Sequence, residues 1–121
     1  MRLMSYNIEW FDECFEDDNS LKTTSEATTK LDAVAGVITA TDPDLIGITE
    51  GPNTTTTTGA RDTVAALKNF AAAKGLRQAD AMIGFPSAGR QEIAAMFDPN
   101  VCSLQHDPGG RAGHKTNPPF N

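Results

Sequence analysis

Asn7 and Glu50 are the residues best suited to chemistry in this sequence. Asn7 interrupts an apolar run of Leu3, Met4, Tyr6 and Ile8 close to its end. Strands usually avoid Asn, so a buried amide there needs a reason. Glu50 ends a second apolar run, Leu45-Ile46-Gly47-Ile48-Thr49. A carboxylate ending a buried strand must be paired, protonated or bound to a metal, because a lone buried charge is too costly. The oxygens of Glu50 and of the Asn7 side-chain carbonyl are hard ligands that suit Mg²⁺ or Ca²⁺ rather than Zn²⁺. Magnesium keeps several waters and takes one or two protein carboxylates, which leaves positions open for a phosphate. A structural salt bridge or cap is the competing role for Glu50.

Other reactive residue types fall where chemistry is harder to build. Glu9, Asp12, Glu13, Glu16, Asp17 and Asp18 follow one another with no Lys or Arg among them. They read either as a solvated acidic loop or as a metal-collecting rim, with Asp12 the member nearest the first strand. Thr54 to Thr58 are all threonine, with Gly59 behind them. A flexible loop fits that run better than a phosphate cradle, which would use more glycine. His106 and His114 lie in a Gly/Pro-rich segment and read as surface-loop residues. Cys14 and Cys102 cannot define a disulfide framework and read as small hydrophobes or exposed thiols rather than nucleophiles.

The elements that must position these groups follow from periodicity. Residues 2–8 predict a strand, apolar enough to be buried on both faces, opening the fold without a leader. A polar loop then runs to about residue 25. Leu31, Val34, Ala35 and Ile38 form the stripe of an amphipathic helix, capped by Ser25 or Thr24 and ended by Asp42-Pro43. Leu45 to Thr49 predicts a second buried strand, broken after Glu50 by Gly51-Pro52-Asn53. A second helix is expected over about Arg61 to Lys74, with Val64, Leu67 and Ala71 inward and Gly75 as its stop. Ala79 to Gly84 predicts a short strand, and Glu92–Phe97 with Val101–Gln105 a hairpin across Asp98-Pro99-Asn100. From His106 on no regular element is expected. If the first two strands are parallel neighbours, their C-terminal ends put Asn7 and Glu50 on one rim, where open α/β sheets bind ligands.

The 121 residues make room for one domain or part of a larger one, and 39% hydrophobic with 21% charged residues is ordinary globular composition. Ten Lys and Arg against sixteen Asp and Glu leave a formal charge of −6. That argues against a nonspecific nucleic-acid or membrane glue, though not against an enzyme acting on phosphates, since bound cations reverse the local field. No apolar run approaches a membrane span. A cytoplasmic location is the default expectation.

At Arg2-Leu3-Met4-Ser5-Tyr6-Asn7-Ile8-Glu9-Trp10-Phe11 the sequence resembles the opening strand of the endonuclease/exonuclease/phosphatase superfamily, the deoxyribonuclease-like fold. Asp44-Leu45-Ile46-Gly47-Ile48-Thr49-Glu50 resembles that family's second signature, Pro-Asp and an apolar strand ending in a metal-binding glutamate, with Thr49 where Gln is usual. Gly89 to Asp98 is similar to its central strand, whose early polar residue supports the catalytic histidine; that residue is Gln91, or Glu92 one position on. The resemblance implies an α/β fold, the N-terminal half of a four-layered α/β sandwich, with a mixed sheet and helices packed on one face. Residues 1–121 would then form the N-terminal portion of such a domain.

The resemblance also implies a mechanism. Family members hydrolyse phosphodiesters or phosphomonoesters by attack of a metal-assisted water, with Mg²⁺ (or Mn²⁺) as cofactor. Glu50 would bind the metal, Asn7 would position metal or phosphate, and Gln91 would take a supporting catalytic role. The Gly-Asp-x-Asn and Ser-Asp-His signatures of the family's second half do not occur here. The expected partner is a phosphate-ester substrate, nucleic acid included, and the chain by itself should turn over little of it. Two other readings compete: a non-catalytic half-domain that pairs with another chain or self-associates through an exposed half-core, and an unrelated small α/β domain in which Asn7 and Glu50 are structural.

Overall fold

The computed structural model describes residues 1–52, 62–84 and 92–105. In chain order the elements are β1 (Leu3–Asn7), a 3₁₀ turn (Phe11–Cys14), α1 (Ser25–Thr41), β2 (Leu45–Gly51), α2 (Thr63–Lys74), β3 (Asp80–Ile83) and β4 (Glu92–Phe97). The strands form one mixed sheet in the order β1-β2-β4-β3. β1 and β2 are parallel neighbours, whereas β4 runs antiparallel to both β2 and β3. The chain therefore has the expected α/β class with a mixed sheet.

Local chemistry sets the helix limits. Thr24 caps α1 by accepting a hydrogen bond from the Ala27 amide at 3.2 Å. Leu31, Val34, Ala35 and Ile38 are buried, as their spacing requires. Asp42 then turns left-handed before Pro43 and the helix stops. α2 begins at Thr63 because the Asp62 carboxylate accepts from the amides of Val64 and Ala65. It buries Ala66, Leu67, Phe70 and Ala71 and ends at left-handed Gly75 (φ 65°). Val64, expected inward, is only half-buried.

Both helices contribute to one core cluster with Ile46 and Ile48 of β2 and Ala94 and Met96 of β4. Residues that pair across strands share a face of the sheet. The row Met4, Ile46, Met96, Ala81 thus faces the helices, and the row Ser5, Gly47, Ala95, Met82 faces away. On that far side Leu3 is 66% and Ile93 68% exposed. β1 and β2 are consequently buried on one face, and the expected burial on both is corrected. Continuous apolar sequence misled because Leu3, Ser5 and Asn7 are exposed while Met4 and Tyr6 between them are half-buried.

Two further expectations are corrected. The stretch after β1 is more than a polar loop: Phe11, Cys14 and Phe15 enter the core through the 3₁₀ turn. Phe11 meets Phe15 and Phe70 edge-on, with ring centroids 5.1 and 5.3 Å apart. No hairpin arm forms over 101–105, because both edges of β4 are already occupied by β2 and β3. Instead the Asp98 side chain accepts from the Asn100 amide and its carbonyl from Val101 and Cys102, closing a turn. Among the described residues no helix is long and apolar enough to cross a membrane.

Candidate functional site

Parallel pairing carries Asn7 and Glu50 to the same edge of the sheet. Asn7 stands opposite Thr49, and the Ile8 amide donates to the Thr49 carbonyl at 3.3 Å. The next residue of β2 is Glu50. Between Ile48 and Gly51 the register against β4 slips, since Ile48 pairs with Ala94 but Gly51 with Glu92. That extra residue is a β-bulge, a device that re-aims a side chain the pleat would otherwise fix. Asn7 is exposed and Glu50 half-buried. The expectation of a buried amide at Asn7 is therefore corrected: it belongs to the uncovered face, where an amide is readily hydrated.

Beyond Asn7 the chain makes a tight turn. The Phe11 amide donates to the Ile8 carbonyl at 3.1 Å, the Glu13 amide to the Trp10 carbonyl at 3.0 Å, and the Lys30 ammonium to the Glu9 carbonyl. Phe11 is thereby drawn inward while Trp10 is left outward with 55% of its surface exposed.

Backbone strain concentrates at this edge. Among the described residues four non-glycines have positive φ: Trp10 (58°), Asn19 (75°), Asp42 (51°) and Glu50 (61°). Asn and Asp tolerate the left-handed region because their short side chains bond locally. Trp and Glu lack that short side chain, and for residues of their type the conformation costs about 1–2 kcal/mol. Strain of this sort persists where the surrounding structure over-determines it, and such residues cluster at functional sites. Glu50 is near the end of β2, next to Thr49, which pairs with Asn7, and Trp10 follows the end of β1 by three residues.

Other expected site residues fare differently. Gln91 lies outside the described residues, as do Thr54 to Thr58, His106 and His114; Glu92 begins β4. Of the acidic run, Glu9, Glu13, Glu16, Asp17 and Asp18 are exposed and Asp12 is half-buried. Among the described residues no group of three His, Cys, Asp or Glu side chains is placed to hold a metal ion. Cys14 is buried in the core, and burial pushes its thiol above the ordinary value, so it stays protonated.

Two residues escaped sequence reasoning. Trp10 entered only as part of the run that resembles the family's opening strand, because exposure of a single aromatic has no periodicity. Arg77, at the opposite edge, joins three acids: Asp42 at 2.7 Å, Asp44 at 3.0 Å and Asp98 at 2.9 Å. The Arg2 amide bonds and the Arg77 guanidinium hold Asp44 below the usual carboxylate range, and Arg77 does the same to Asp98. That one cation thus joins the end of α1, the start of β2 and the end of β4. Comparison of the chain with family models, with curated proteins and with solved structures gives no match.

Proposed function

We propose that the edge formed by Asn7 and Glu50 is the metal side of a phosphoester-hydrolysing site, of the endonuclease/exonuclease/phosphatase type that the strand sequences resemble. The observation that carries it is Glu50 itself: a left-handed glutamate on a β-bulge, at the C-terminal tip of a strand paired in parallel with the one bearing Asn7. The donor set fits Mg²⁺ (or Mn²⁺), since one carboxylate and one amide oxygen at a hydrated edge are as many protein ligands as magnesium ordinarily takes. Bound there, the ion would stabilise charge on the phosphoryl oxygens and lower the pKa of a coordinated water. Glu50 holds the charge balance of the site, and Asn7 orients the phosphate or its water through a neutral amide that both donates and accepts. Gln91 takes the supporting role that the resemblance implies for it.

With two protein ligands the affinity for metal is weak, and the test is thermal. Magnesium at ten times its Kd should stabilise the chain by about 1.4 kcal/mol, read as a rise in Tm. Glu50→Gln should abolish the rise. Glu50→Gly, which keeps the left-handed backbone without strain, should abolish it too. A Tm indifferent to Mg²⁺, or a shift surviving Glu50→Gln, removes the metal reading. Because the sequence has neither Gly-Asp-x-Asn nor Ser-Asp-His, turnover of a generic phosphodiester by the chain alone should be slight.

A second reading, a non-catalytic half-domain that pairs with another chain, is favoured by the far face of the sheet, where among the described residues Leu3 and Ile93 stand exposed. It predicts concentration-dependent association in sedimentation, weakened by Ile93→Lys. A monomer at every soluble concentration counts against it.

A further inference from the structure

Trp10 serves neither the core nor the metal ligands, yet its placement is costly. It occupies the third position of the Ile8–Phe11 turn with φ 58° and ψ 32°, where glycine or asparagine would sit without strain. The usual compensation, burial of the indole, is only partial, with 55% of the residue exposed. Four backbone or lysine hydrogen bonds fix the turn: Ile8 to Thr49, Phe11 to Ile8, Glu13 to Trp10, and Lys30 to Glu9. The result is a large, flat aromatic surface carried on a pinned turn and about half exposed to solvent, three residues from Asn7 and so at most about 11 Å along the chain from the proposed phosphate position.

We propose that Trp10 is the specificity-determining contact of this edge and stacks on the nucleobase of a short nucleotide phosphoester whose phosphate lies at Asn7 and Glu50. The inference rests on the phosphoester reading and deepens it by naming the substrate class. A nucleotide carries the two groups that the edge offers to receive, a phosphate and a flat π-face. Base stacking on one aromatic needs no hydrogen-bond code and is tolerant of base identity. The ligand is short, because a long polyanion would have to lie along the run from Glu9 to Asp18 and against a chain of net charge −6. The pinned turn spares the cost of ordering its backbone on binding, and tryptophan has only two side-chain torsions to fix.

Trp10 is the sole tryptophan, so its fluorescence reports this site alone. The 121-residue chain would be titrated in Mg²⁺ with adenosine 5′-monophosphate, ribose 5-phosphate and phosphocholine, exciting beyond the base absorption. Saturable quenching by the nucleotide is expected, with ribose 5-phosphate binding roughly 5- to 150-fold more weakly, the range that loss of one stacked base implies. In calorimetry, Trp10→Gly should lose that preference while its Tm equals or exceeds that of the parent, since glycine relieves the strain. Trp10→Phe should retain most of it. Equal binding of nucleotide and ribose phosphate overturns the stacking role, and so does a Trp10→Gly variant that keeps the preference or melts well below the parent. Stronger quenching by phosphocholine overturns the nucleobase in favour of a quaternary ammonium. Failure of the phosphoester reading looks different: Mg²⁺ and Glu50→Gln would then leave binding of every phosphate unchanged.

Discussion

Phe11→Ala should lower the unfolding free energy by about 3–5 kcal/mol, the range for deleting a buried phenyl ring. Phe11 is fully buried and touches Phe15 and Phe70 at once, so no single neighbour can close the cavity. It ties the segment after β1 to α2, whose Asn69 side chain also reaches that segment by donating to the Asn19 carbonyl at 2.9 Å. A domain of this size has about 5–15 kcal/mol in all, so the variant should be partly unfolded in mild denaturant. Its chemical-denaturation midpoint would drop with the m-value unchanged. The Ile8–Phe11 turn loses its inner anchor as well, and Trp10 emission should shift toward that of free indole before global unfolding begins. The contrast with Trp10 is the sharp part: adjacent aromatics, one whose loss is severe and one whose replacement by glycine is neutral or better. A midpoint for Phe11→Ala within experimental error of the parent would mean that the three-ring contact does not hold this edge in place.

Much of the scaffold was legible because its signals are local. The α1 stripe, the Thr24 cap, the Asp42-Pro43 stop and Gly75 each depend on neighbours a turn away, and each is found. The parallel pairing of β1 and β2 followed from a helix standing between two apolar runs, and it carried Asn7 and Glu50 to one edge. What was lost depends on which other segments arrive. The hairpin after Phe97 looked sound locally, but β4 had no free edge to offer. The burial of β1 on both faces failed because sequence alone cannot say how many layers cover a sheet. Phe11, Cys14 and Phe15 stand at i, i+3 and i+4, a helical stripe, yet six acids interleaved with and flanking them drew the whole segment toward a loop. At the candidate site the residue types were readable and the strain was not. Positive φ at Glu50 and Trp10 has no sequence signature, since the residues that normally announce it are glycine and asparagine.

Arg77→Met should destabilise the chain in a way that depends on pH. The guanidinium draws together the end of α1 through Asp42, the start of β2 through Asp44 and the end of β4 through Asp98, and it also donates to the Asp42 carbonyl at 3.0 Å. Methionine fills similar space without charge and leaves three carboxylates facing one another. Asp98, only 6% exposed, suffers most, because it cannot turn to water. In the parent, Asp44 and Asp98 have folded-state pKa values below the ordinary 3.8. Their contribution to stability is therefore complete above about pH 4 and is lost as the pH falls through those lower values. In the variant the cation is gone, so Asp98 takes up its proton at higher pH, and protonation relieves the repulsion rather than breaking a bond. The Tm of the parent should fall on acidification below pH 4, whereas the variant, several degrees lower at pH 7, should fall less. The two melting curves thus converge toward pH 3. Arg77→Lys should lie between them, since a single ammonium lacks the fork that reaches three acids. High salt should narrow the neutral-pH gap only in part, because Asp98 is shielded from solvent ions. Parallel Tm profiles from pH 7 to pH 3 would mean that the arginine acts through packing of its stem alone, and that the three strand and helix ends are held by the backbone bonds from Arg2 and Asp98 to Asp44.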